Sequence, residues 1–284
     1  KHIVCKNQED ERMKKRLMAA VLSTAMAATM LLTGSISVQA ADAAAANDPA
    51  VELIFTSVSV SGDSHTEAMY EFADKVEELS GGSVTCKCYD NGSLFSSENE
   101  FDALLNGDAD LAYISFPTIA TQIPSYSMFA SGYLFSSYEH MTSVLNGDIG
   151  LNKIRPQIEE TLNIKPLSSF YLGSRVINTR EKEINSYDDM NGLLLRMPNS
   201  EAWLFLGEAL GANPTPLSFS ELYTALQTGA VDAQDNPLPS IESAKFYEVT
   251  KYIAITNHVV DSIMPCINGD TWNSMTEAQQ EAVT

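Results

Sequence analysis

"FSELYTALQTGAVDAQDNPL", residues 219–238, runs a helical pattern into a glycine and then into a short polar strand that stops at a proline. Helical spacing over Ser220–Gln227, with Ser218 or Ser220 as N-cap, predicts a helix closed by Gly229. Val231–Gln234 then reads as a strand, and Asn236-Pro237 as the turn that ends it. Two readings fit. The stretch is an ordinary helix-to-strand connection, or it fixes Asn236 at a strand end with its amide aimed at a ligand.

Working outward, Val51–Val60 reads as a buried strand and His65–Leu79 as a helix ended by Gly81-Gly82. Ser83–Tyr89 is a strand, Ser97–Leu105 a helix with Ser97-Glu98-Asn99-Glu100 as capping box, and Leu111–Phe116 a third strand. This β-α-β-α-β rhythm predicts an α/β domain with a largely parallel sheet. Helical patterns follow at 138–147 and 151–162, and strands at 164–171, 175–178 and 193–197. Helices are expected at 201–210, stopped by Gly211, and at 240–246.

Composition excludes several classes. The 284 residues suffice for two domains, and 44% hydrophobic with 19% charged content describes a soluble globular chain. A net charge of −20 argues against nucleic acid and against anionic membrane surfaces, so an anionic ligand needs a local positive site. Met13-Lys14-Lys15-Arg16, the apolar run Leu17–Leu32 and Val38-Gln39-Ala40 have the layout of an export signal cleaved after Ala40, with residues 1–12 upstream of it and 41–50 an Ala-rich linker. Ser35 stands where a lipobox needs Cys, so a free periplasmic protein is expected. Cys86 and Cys88, two apart in a strand, are poorly placed to pair with each other; free thiols are expected, with a bond from Cys266 to one of them left open.

The chain lacks GxGxxG, GxxxxGK[ST], HExxH, GxSxG and CxxC. His65, His140 and His258 are scattered and read as surface or turn residues. Asp108/Asp110 and Asp188/Asp189 fall at turns and helix starts, where capping accounts for them. No catalytic constellation, cofactor or metal is expected. The four arginines beyond residue 40 say more. Arg155 and Arg180 lie in polar surroundings and read as solvated. Arg196 sits inside the apolar run Leu193-Leu194-Leu195-Arg196-Met197-Pro198, where an unpaired guanidinium is costly, so it needs an internal acid or an anionic ligand. Arg175, after Gly173-Ser174, has a weaker version of the same case.

"GANPTPLSFSELYTALQTGAVDAQDNPLPSIESAKFYEVTKYIAITNH" (211–258) resembles the solute receptors of TRAP transporters, the DctP family. "YDDMNGLLLRMPNSEAW" (187–203), "LFSSYEHMTSVLNGDIG" (134–150) and "YDNGSLFSSENEFDALLNGDADLAYIS" (89–115) resemble it in order and spacing. The resemblance implies an α/β, two-domain clam with a hinge and an interdomain cleft, domain I over 51–172 plus 262–284 and domain II over 173–261. It implies a carboxylate held mainly by Arg196, with Arg175 and Asn236 assisting and Phe219 lining the pocket. It further implies a monomer that delivers a small organic acid to a TRAP membrane permease, without enzymatic activity. The rivals are a receptor feeding a sensory system and a secreted enzyme acting on small acids. Asp235 replaces the family's usual Glu before this Asn. Ser115 and Thr118 stand where sialic-acid receptors carry charge, which disfavours a sialic acid. The family pattern also leads to the expectation of a gene fragment lacking the C-terminal helices.

Overall fold

The computed structural model describes residues 47–284; the expected export signal and most of the Ala-rich linker lie outside them. The first half begins as the periodicity predicts. Strand β1 (Val51–Thr56) leads into α1 (Ser64–Leu79), where Asp63 caps the helix by accepting from the His65 backbone N–H. Strand β2 (Val84–Tyr89), helix α2 (Glu100–Asn106) and β3 (Leu111–Ile114) follow. Both β2 and β3 run parallel to β1. The short helix α3 (Phe116–Ile119), α4 (Tyr138–Leu145) and α5 (Arg155–Leu162) then cover one face, and β4 (Ile164–Pro166) returns to the sheet.

The second half comprises β5 (Phe170–Thr179), β6 (Leu194–Met197), α6 (Glu201–Ala209), β7 (Asn213–Pro216), α7 (Leu222–Thr228), β8 (Ala233–Pro237) and α8 (Leu238–Ser243). Strand β9 (Tyr252–Asn268) and helices α9 (Gly269–Ser274) and α10 (Glu277–Val283) complete the described chain. The strand order is β2-β1-β3-β9-β5-β8-β6-β7, with β4 pairing β9 off this path. Strand β9 joins the halves. Its last residues pair with β3 and β4, while Tyr252–Ile263 pair antiparallel with β5.

Each half buries apolar side chains on both faces of its sheet, as an α/β layer structure requires. In the first half Phe116, Met141, Ile158 and Met264 pack on one face, and Leu53, Phe55, Met69 and Val76 on the other. In the second, neighbours Val176 and Ile177 point to opposite cores, one built on Leu222, Leu226 and Phe246, the other on Leu195, Trp203 and Leu206. Burying each such Leu or Phe contributes about 1.5–3 kcal/mol.

Several expectations are corrected. Strand β9 was not foreseen, because His258, Asp261 and Pro265 break its apolar pattern; nor was β7, whose two prolines suit only a sheet edge. Strand β8 extends through Asn236 and Pro237, which pair with Val176 and Arg175, so these residues are strand and not turn. Gly229 does close α7 in the left-handed conformation, at φ 81, but the N-cap is Glu221, and Ser218 Oγ donates to the Glu221 carboxylate. The capping box at 97–100 does not form: Asn99 is the N-cap of α2, and the Glu100 side chain turns into the protein. Arg155 is not solvated; it is half-buried and donates to Leu167 O at 3.0 Å and to the Asn146 side chain. His65 and His258 are buried, whereas His140 is exposed. Asp189 closes a capping box with Ser186, but Asp110 instead accepts from Ile54 N and Thr271 Oγ1, tying β1 to α9.

Candidate functional site

Between the halves lies a cavity of about 360 Å³. Ser59, Ser97, Glu98, Glu100, Ser115 and Thr118 line it from the first half, and Arg175, Arg196, Trp203, Phe219, Asn236 and Ser240 from the second. The halves touch across it where Ser243 Oγ donates to Asp63 Oδ2 at 3.2 Å and Phe219 N donates to Ser97 Oγ at 3.4 Å.

All four residues singled out in the sequence meet on this wall, but they do different things. Arg175, on β5, faces Pro237 on β8 and Val259 on β9. Asp235 and Asp261 therefore sit diagonally across from it on the flanking strands, within side-chain reach. Arg175 Nε and Nη2 donate to Asp235 Oδ2 and Oδ1, both at 2.8 Å, and Nη1 donates to Asp261 Oδ2 at 2.7 Å. The Trp203 ring packs 4.5 Å from the guanidinium carbon. Burial acts to lower the Arg175 pKa, but Asp235 and Asp261 outweigh it and hold the group charged. Burial likewise acts to raise Asp235, and Arg175 overrides it, so this carboxyl lies well below the usual range. His258 Nε2 lies 3.0 Å from Asp235 Oδ2, and its Nδ1 lies 2.7 Å from Thr256 Oγ1.

This network places Asn236. Its Nδ2 donates to Gln234 Oε1 at 2.7 Å, and its Oδ1 accepts from Arg175 Nη2 at 3.2 Å. Gly173 lets β5 approach closely here: at φ +135, a Cβ would lie 2.4 Å from Pro237 Cβ, so any side chain collides.

Arg196 differs. It sits on β6, 2% exposed, with Nε donating to Leu217 O at 2.8 Å and the half-buried Phe219 ring 6.0 Å away. Among the described residues no carboxylate lies within ion-pair distance of it. Burial, reinforced by the nearby Arg175 charge, pushes its pKa down to about 10, so it remains charged at neutral pH. A charged, buried fork without an acid is suited to binding an anion, and a carboxylate matches it with two parallel hydrogen bonds.

Sequence reasoning missed Asp235, Asp261 and His258 as the partners of Arg175, and Glu100 as a cavity residue. Cys86, Cys88 and Cys266 are free thiols. No group of side chains among the described residues is arranged to hold a metal ion, and no described helix is long and apolar enough to cross a membrane.

Two α/β halves joined by long shared strands, with a charged cleft between them, form a clam-shaped fold. The chain belongs to the family of bacterial extracellular solute-binding proteins, family 7, which residues 55–284 match. It is 34% identical over 211 residues to the sialic acid-binding periplasmic protein SiaP of Vibrio cholerae, covering 74% of this chain and 65% of that one. It therefore spans just under two thirds of the length of that relative. A TRAP periplasmic solute-binding protein of Roseobacter denitrificans, solved with 3-deoxy-D-manno-oct-2-ulosonic acid, superimposes with a TM-score of 0.77 at 39% identity, covering 82% of this chain and 77% of that one. A second from the same organism, solved with L-galactonate, gives 0.78 at 31% identity, covering 83% and 77%.

Proposed function

We propose that this protein is the extracytoplasmic receptor of a TRAP transporter, capturing a small organic acid by its carboxylate on Arg196 and delivering it to a membrane permease. The observation that carries this reading is the buried Arg196 guanidinium, charged and without an internal acid, on the cavity wall. Asn236 offers an amide beside it, Phe219 covers it, and Arg175, already neutralised by two acids, holds Asn236 in place and contributes at most a spare N–H. The domains divide at 172/173 and 261/262, where β5 and β9 cross between halves and the register shifts between Tyr171 and Gly173. Closure about these strands removes water from the Arg196–carboxylate pair and strengthens it. Ser115 and Thr118 bond to each other at 2.9 Å and bring no charge, so the solute is an acid other than a sialic acid. The chain acts as a monomer without catalysis, in the periplasm, after removal of residues 1–40.

A thermal-shift screen of organic acids against neutral sugars tests this. A ligand at 100 times its Kd should add about 2.7 kcal/mol of stability. Acids should raise the melting temperature; a response to neutral sugars and to no acid overturns the reading.

A further inference from the structure

The first-half wall of the cavity carries Asp63, Glu98, Glu100 and Asp102, and neither a lysine nor an arginine. Glu100 is the unusual member. It is 4% exposed, and its Oε1 is buried with no hydrogen-bond partner. Thr56 Oγ1, fully buried at the end of β1, makes no well-formed hydrogen bond either, though it stands close enough to the Glu100 side chain to offset a minor part of the effect of burial. Among the described residues no cation pairs with Glu100. A buried carboxyl left in this condition is costly unless something else bonds it.

We propose that Glu100 is a specificity-determining residue of the cleft: its carboxyl group hydrogen-bonds a hydroxyl of the solute remote from the end held by Arg196, so the solute is a hydroxylated monocarboxylate and not a dicarboxylate. The proposal rests on Arg196 holding the first carboxylate. Burial pushes the Glu100 pKa up to about 8, so at neutral pH the group is mainly a neutral acid, able to donate its O–H and accept at its carbonyl. A hydroxyl meets both needs. A second carboxylate reaching this wall meets Glu98 and Glu100 and no cation, and loses its hydration without a counter-ion.

Isothermal titration at pH 7 tests this with galactonate, gluconate and glucuronate as hydroxylated probes and succinate as the dicarboxylate. Wild type should bind the best hydroxylated acid about tenfold or more tighter than succinate. Glu100→Gln, neutral and of the same shape, should retain that preference, whereas Glu100→Leu should lose about tenfold for the hydroxylated acid and little for succinate. Equal binding of succinate by wild type, or unchanged hydroxy-acid binding by a folded Glu100→Leu, overturns the role of Glu100 while leaving Arg196 intact. Failure of every acid to bind wild type overturns the Arg196 reading and this one with it.

Discussion

Replacing Glu100 with Gln should change how the ligand-free protein responds to pH. In the unfolded chain this carboxyl ionises near its ordinary value of 4.5; in the folded protein burial raises that to about 8. Between these values the native state holds a proton that the unfolded state has released, so stability falls as pH rises. The contribution is fully present below 4.5 and is lost as pH climbs through about 8. Three and a half pH units at 1.36 kcal/mol each give a loss on the order of 5 kcal/mol across the window. Gln cannot ionise, so the variant should lack this slope. Urea unfolding of both proteins at pH 5 and pH 8.5, without ligand, measures it, since every other titrating group is common to the two and cancels. Wild type should lose several kcal/mol more than the variant over that interval. Parallel losses would refute the placement of Glu100 as a buried, unpaired acid.

Asp235→Asn should cost about 3 kcal/mol in urea unfolding at pH 7, because it leaves a buried guanidinium with Asp261 as its one remaining acid; a change under 0.5 kcal/mol contradicts the ion-pair assignment. Asn236→Ala should weaken binding of the best acid by about 1–3 kcal/mol in calorimetry, and unchanged affinity with an intact fold would make Asn236 purely structural. Burial pushes the Cys86 thiol up to about 12 and Cys88 up to about 11, and buries Cys266 fully, so iodoacetamide at pH 8 should label all three quickly only after denaturation. Rapid labelling of the folded protein, or a disulfide in non-reducing mass spectrometry, would contradict this.

The first βαβαβ unit was legible because its helices are amphipathic and stop at glycines, signals confined to a few neighbouring residues. Arg196 was legible for a related reason: a lone charge within an apolar strand has few physical explanations. The pairing of Arg175 was not, since Asp235 and Asp261 lie 60 and 86 residues away in the chain and meet it only through the register of three strands. The same distance hid β9, whose His258 and Asp261 look like breaks in a strand until their partners across the sheet are known. Glu100 was misread because Ser97-x-x-Glu100 satisfies the local rule for a helix cap, while the tertiary fold starts the helix at Glu100 and turns the carboxylate inward. Local chemistry singled out Arg196; only the assembled sheet showed that Arg175, unlike Arg196, is already paired with two acids.

Calorimetric titration of Arg196→Lys with the tightest acid from the screen tests the central claim most directly. Lysine keeps the charge but removes the planar fork, so a bidentate grip on a carboxylate predicts a loss of about tenfold or more in affinity at unchanged net charge. Arg196→Met, measured beside it, should abolish binding while melting close to wild type without ligand, because no internal acid is left unpaired. Equal affinity in the lysine variant, or a methionine variant that unfolds far below wild type, would contradict the assignment of Arg196 as the carboxylate-binding residue.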